Sequence, residues 1–160
     1  MGIRYYAYPV DAELIDLARA SPRAFLSSDP LADAWGLAAE RPPMLYLDKC
    51  WWELQRLFSA RPGEVERPAA GLVRGRVREH SNGWDAFLRV LDPAEVAHVA
   101  ADLALFGEAD VRAMFEQSPQ SESSRDPDAE IRYVVEYLAD ATAFVTDLAR
   151  TGRGMIYLIG

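Results

Sequence analysis

Lysine and cysteine are almost missing from this 160-residue chain: there is one of each, Lys49 and Cys50, side by side. A lone cysteine excludes an intramolecular disulfide and gives no reason to expect an oxidising compartment, so a cytoplasmic location is the expectation. Histidine is scarce too, with only His80 and His98. Two histidines that far apart make no zinc spacing, and neither a metal nor a cofactor is expected. No apolar run approaches the roughly eighteen residues that would span a bilayer. The start of the sequence lacks the basic stretch, apolar run and small-residue cleavage site of an export leader. Gly-rich phosphate loops and a Gly-x-Ser-x-Gly elbow are also missing, which removes two common enzyme classes.

What is present is ordinary globular material. Half of the residues are hydrophobic and 26% are charged, a balance that argues against a disordered chain and for a packed core. At this length one domain over 1–160 is the expectation. The formal net charge of −8 disfavours non-specific contact with nucleic acid or an anionic membrane, since both demand a positive field. The charge is uneven. Between residues 56 and 89 seven arginines face four acids, about +3, while the remainder carries about −11.

Ile3-Arg4-Tyr5-Tyr6-Ala7-Tyr8 is β-branched and aromatic on both faces of a period-two pattern, which predicts a strand buried on both sides. Met155-Ile156-Tyr157-Leu158-Ile159 predicts a second such strand at the other end. Helical periodicity dominates between them. Asp11 reads as the cap of a helix carrying Leu14, Ile15, Leu17 and Ala18, and residues 22–40 as short helical pieces broken by proline. Asp48 reads as the N-cap of a helix to about Phe58, with Cys50, Trp51, Leu54, Leu57 and Phe58 on the apolar side and Trp52 almost opposite. Residues 72–78 alternate Val73, Gly75 and Val77 with Arg74, Arg76 and Arg78, the pattern of a strand with a guanidinium face. Ser81-Asn82-Gly83 then predicts a turn and 84–91 another extended stretch.

Asp92-Pro93-Ala94-Glu95 combines a cap, a proline at the first helical position and a capping-box glutamate, opening a helix that stops at Gly107. A shorter helix follows over 108–116. The Ser, Pro and Asp rich stretch 118–128 reads as a flexible loop, and 129–150 as the longest helix. Central strands at both ends with helices between them predict an α/β (α+β) domain. Its mixed central sheet has the N- and C-terminal strands in the middle and helices on both faces, an α/β/α sandwich.

The strand from Gly2 to Tyr8 running into Asp11-Ala12-Glu13-Leu14, then Leu47-Asp48-Lys49-Cys50-Trp51, then Leu91-Asp92-Pro93-Ala94-Glu95-Val96 with the 108–115 segment, and finally 155–159, resemble the YfbM-like bacterial family, domain of unknown function 1877. The similarity runs over nearly the whole chain in short motifs. It implies the same α/β/α fold and brings no activity with it. Around residue 48 the family pattern resembles Leu-Asp-Lys-Ser-Trp-His, often with a second histidine a turn later. This sequence keeps Leu47, Asp48, Lys49 and Trp51 but has Cys50, Trp52 and Gln55 at the varying places. A metal or proton-transfer role built on those histidines is therefore absent here, and the Arg74, Arg76, Arg78 alternation is particular to this chain.

Lys49 is where a compact ammonium stands in an arginine-rich chain. Such a group can serve as nucleophile or anion ligand, or simply pair with an acid such as Glu53. Trp52 puts an indole on a polar helix face, the mark of a second packing partner or a binding surface. Arg74 and Arg76 have the forked donors that hold phosphate or carboxylate, but equally suit a charged edge that keeps strands from pairing. Cys50 reads as a buried structural cysteine. The candidate binding set is Asp48, Lys49, Trp52, Arg74 and Arg76, with no catalytic residue assigned. Two functions stay open: a non-enzymatic binding or partner-regulating protein whose acidic body pairs with a basic protein partner, and a small-molecule enzyme or sensor with an anion site on those residues. The lack of a nucleophile, base and orienter set favours the first. Neither the partner's identity nor the oligomeric state is legible.

Overall fold

The computed structural model describes residues 2–59, 64–117 and 126–160. Among them the strands in chain order are β1 (Tyr5–Val10), β2 (Leu45–Asp48), β3 (Arg78–His80), β4 (Gly83–Asp85), β5 (Phe87–Leu91) and β6 (Gly154–Ile159). A sheet forms in the order β2-β1-β6-β5, and β3 with β4 makes a separate hairpin. The terminal strands are thus central, as their double-sided apolar pattern requires. Strand alternation sends Tyr5, Ala7, Met155, Tyr157 and Ile159 into a large core, and Tyr6, Tyr8, Val10 and Ile156 into a smaller one on the opposite face.

Short pieces cover the smaller core, α1 (Ile15–Ala20) and α2 (Pro30–Trp35), through Ile15, Ala18 and Ala34. Prolines at 22, 30, 42 and 43 keep this layer from forming longer helices. The large core is covered by α3 (Trp51–Phe58), α4 (Pro93–Leu103), α5 (Glu108–Gln117) and α6 (Pro127–Arg150). Ile131, Val134, Leu138, Ala141, Val145 and Leu148 form the buried stripe of α6, which packs against α4. The Asp92 and Glu95 capping box is made reciprocally at the start of α4. No helix among the described residues is long and apolar enough to cross a membrane.

Three expectations need correction. The α/β architecture holds, but the sheet is antiparallel at every pairing rather than mixed. Neither sheet connection is the single-helix crossover that makes neighbours parallel: proline-broken pieces join β1 to β2, and three helices join β5 to β6. The expected loop over 118–128 lies mostly outside the described residues, and its last residues belong to α6. There the Asp126 carboxylate accepts the Ala129 amide as the helix cap and Pro127 takes the first position.

The third correction concerns the arginine alternation, which is not a strand. After a 3-10 turn at Pro68–Leu72 the backbone runs irregularly until β3 begins at Arg78. Its carbonyls bond to side chains in place of a ladder. Tyr157 Oη donates to Gly71 at 3.3 Å and Arg74 at 2.7 Å, and Tyr5 Oη donates to Leu72 at 2.9 Å. Gln55 Nε2 donates to Val73 and, at 2.7 Å, to Gly75. Gly75 sits at φ 104 with the Phe87 ring where a Cβ would lie, so only glycine fits.

Candidate functional site

The five expected site residues fall into two neighbourhoods. Asp48 and Lys49 occupy the junction of β2 and α3, where Cys50 N–H closes a turn onto the Leu47 carbonyl at 2.8 Å. Asp48 does not cap the helix: α3 starts at Trp51 without a side-chain cap, and Asp48 takes a left-handed φ of 46. Aspartate is among the residues that tolerate this region, which for other side chains is costly. Its carboxylate is engaged across the sheet instead. Oδ1 accepts from Arg4 Nε at 2.9 Å and from Tyr46 Oη at 2.9 Å, and Oδ2 lies 3.4 Å from Tyr133 Oη. Arg4 also reaches Tyr46 Oη at 3.1 Å. Lys49 is exposed and lays its stem over Gly2, whose missing side chain leaves the room. Glu53, its simplest partner by spacing, pairs with Arg56.

Trp52 and Arg76 do come together, and Arg74 lines the same groove as Arg76. The Arg76 guanidinium lies over the Trp52 ring, 5.0 Å from its centroid, and Trp52 is 43% exposed. Arg74 and Arg76 line a groove of about 490 Å³ with Gln55, Glu64 and Glu66. Arg74 is ion-paired with Glu66. Among the described residues no carboxylate stands within ion-pair distance of Arg76.

The groups most able to do chemistry are held elsewhere. Cys50 is fully buried, and burial, with Glu53 and Asp48 nearby, pushes its thiol up to about 12. Glu95 closes the capping box and pairs with Arg89 at 3.1 Å. Among the described residues no cluster of three His, Cys, Asp or Glu side chains has the proximity to hold a metal ion.

With this geometry in hand, comparison decides the family. The model of the family described as domain of unknown function DUF1877 matches residues 1–158. The chain belongs to the DUF1877 family. Its fold is similar to the crystal structure of YfbM from Escherichia coli, itself a protein of unknown function, with a TM-score of 0.57 and 20% identity over 99% of this chain and 100% of that one. No curated protein matches the chain. For a DUF1877 chain, what sequence reasoning missed is the tyrosine content of the β2–α6 side. There Tyr46, Tyr133 and Tyr137 line a second cleft of about 520 Å³. The i, i+4 spacing of Tyr133 and Tyr137 on the flank of the longest helix was the available signal, but nothing local paired that flank with Tyr46.

Proposed function

We propose that this chain is a non-catalytic binding protein and that the groove lined by Gln55, Arg74 and Arg76, with Trp52 under the Arg76 guanidinium, takes the anionic group of its ligand. The carrying observation is Arg76: a guanidinium stacked on a partly exposed indole, beside an open groove, with no carboxylate partner among the described residues. A fork held flat in this way offers parallel N–H donors to a phosphate or carboxylate at a reduced entropy cost. A binding role over a catalytic one is supported by the state of the reactive groups. Cys50 is sealed as a thiol, Asp48 is held by Arg4 and Tyr46, and Glu95 is held by Arg89. Lys49 stands apart from the groove and contributes to the field around α3 only.

The test is the melting temperature of wild type, Arg76→Ala and Trp52→Ala against inorganic phosphate, citrate and mononucleotides. A ligand present at a hundred times its dissociation constant stabilises the native state by about 2.7 kcal/mol, a rise of roughly 5–10 °C for a chain of this size. Wild type should show that rise with an anion and Arg76→Ala should lose it. The same rise in Arg76→Ala, or none in wild type with any of these anions, would remove the groove from consideration.

A further inference from the structure

The cleft lined by Tyr46, Tyr133 and Tyr137 has the opposite character. Its walls come from β2 and α6, and four of its side chains are aromatic: Tyr46, Tyr133, Tyr137 and Phe144. Two carboxylates, Glu136 and Asp140, share the lining, and neither has an ion pair among the described residues. Both side chains are exposed and sit one turn apart on α6, and partial desolvation and the neighbouring Glu136 both raise the carboxyl of Asp140, as expected of two adjacent like charges. Arg41 is the one cationic residue in the wall, and its guanidinium turns to the Gly36 carbonyl at 3.4 Å.

The rings are also fixed in place. Tyr133 and Tyr137 meet edge to face with centroids 4.9 Å apart, and Tyr46 stacks on Tyr6 at 5.4 Å. The hydroxyls of Tyr46 and Tyr133 both turn to the Asp48 carboxylate. A phenol that donates to a carboxylate has a more electron-rich ring, and an electron-rich aromatic face attracts cations.

We propose that the cleft between β2 and α6 is a binding site for an organic cation, an alkylammonium or guanidinium group seated against Tyr46, Tyr133 and Tyr137 with its charge met by Glu136 and Asp140. Asp48 is a positioning residue for this site: it touches the tyrosine hydroxyls from behind. The cleft shares no lining residue with the Trp52–Arg76 groove, so either site can fail without the other.

The experiment is calorimetric titration of the full chain with two probes, agmatine as a free cation and acetyl-Gly-Arg-Gly-amide as a piece of basic chain. Variants are Glu136→Gln with Asp140→Asn, and Tyr137→Leu, each first checked for a native melting transition. Asp48→Asn serves as the positioning control. Wild type binds at least one probe, the charge-neutralised double variant loses about tenfold or more in affinity, and Tyr137→Leu loses several-fold. With Asp48→Asn, weaker probe binding is accompanied by altered ultraviolet difference absorption of the tyrosines, which a purely structural role would not couple to the probe. Binding of agmatine alone identifies a free amine as the source, and tighter binding of the peptide identifies a basic segment of a protein. No heat with either probe in wild type, or undiminished binding in the folded double variant, overturns the proposal.

Discussion

Asp102→Ala is the most informative perturbation of the scaffold. Asp102 is the one charged side chain buried among the described residues, at 9% exposure. Its Oδ1 accepts from Arg67 Nη2 at 2.6 Å and its Oδ2 from the Ala69 amide at 2.9 Å, while the Arg67 guanidinium also lies 4.2 Å from the centroid of Phe106. Truncation leaves the buried Ala69 N–H without an acceptor, at about 1–3 kcal/mol. The ion pair adds about 0.5–1 kcal/mol, because solvent screens the half-exposed arginine. A total of about 1.5–4 kcal/mol corresponds to a fall in melting temperature of roughly 3–16 °C. Urea unfolding followed by tryptophan fluorescence gives the number, and a double-mutant cycle with Arg67→Ala should return a coupling of about 1 kcal/mol. pH supplies a second check. Burial opposes the charge, but Arg67 and the Ala69 amide outweigh it and hold the carboxyl below the usual carboxylate range. With the folded value depressed, the stabilisation is complete above the unfolded-state value near about 3.9 and disappears as pH falls through the folded value. The gap between wild type and variant should therefore be full at neutral pH and close under strongly acidic conditions. A variant within about 0.5 kcal/mol of wild type at neutral pH would refute the reasoning.

Other outcomes follow from the same contacts. Tyr157→Phe removes the donor to the Arg74 and Gly71 carbonyls and should cost about 1–3 kcal/mol in chemical denaturation; an unchanged midpoint would show that water replaces the hydroxyl. Gly75→Ala puts a methyl into the Phe87 ring at φ 104, and a loss of about 2–4 kcal/mol is expected by calorimetry. The Cys50 thiol, buried and pushed up to about 12, should react with a thiol reagent at mildly alkaline pH only at the rate of unfolding; fast native labelling would contradict the packing of α3.

The strands at the two ends and the start of α4 were legible because each is specified by its own residues, whereas Asp11 makes no side-chain cap and the Asp126 cap of α6 lay in a stretch that reads as a loop. Apolar groups on both faces of Tyr5–Val10 and Gly154–Ile159 demand a central position, and Asp92, Pro93 and Glu95 carry their helix start within four residues. The arginine alternation misled for the opposite reason. Val73, Gly75 and Val77 satisfy the period of a strand, but the carbonyls between 71 and 75 are taken by Tyr5, Tyr157 and Gln55 from distant elements, a competition invisible in any local window. Asp48 misled similarly: aspartate before an apolar helix is an ordinary cap, and only the pairing of β1 with β2 brings Arg4 and Tyr46 close enough to claim its carboxylate. The helical wheel placed Trp52 on the exposed face of α3, where its ring lies under the Arg76 guanidinium.

The tyrosines show why composition alone could not separate scaffold from site. Tyr5 and Tyr157 stack at 5.1 Å and are fully buried, with their hydroxyls holding the backbone that leads to Arg74 and Arg76. Tyr46 and Tyr133 also have anchored hydroxyls, but their anchor is the Asp48 carboxylate and their rings form the wall of a cleft. In each case the phenol is held by its polar end, which leaves ring exposure as the difference between a core tyrosine and one that lines a cleft. That exposure depends on which element packs across the ring. For Tyr5 and Tyr157 it is the 3-10 turn and the segment after it, whereas β2 is an edge strand beside α6 and leaves its tyrosine open. The same sheet therefore supports the segment of Arg74 and Arg76 from its interior and forms the tyrosine-lined cleft at its edge.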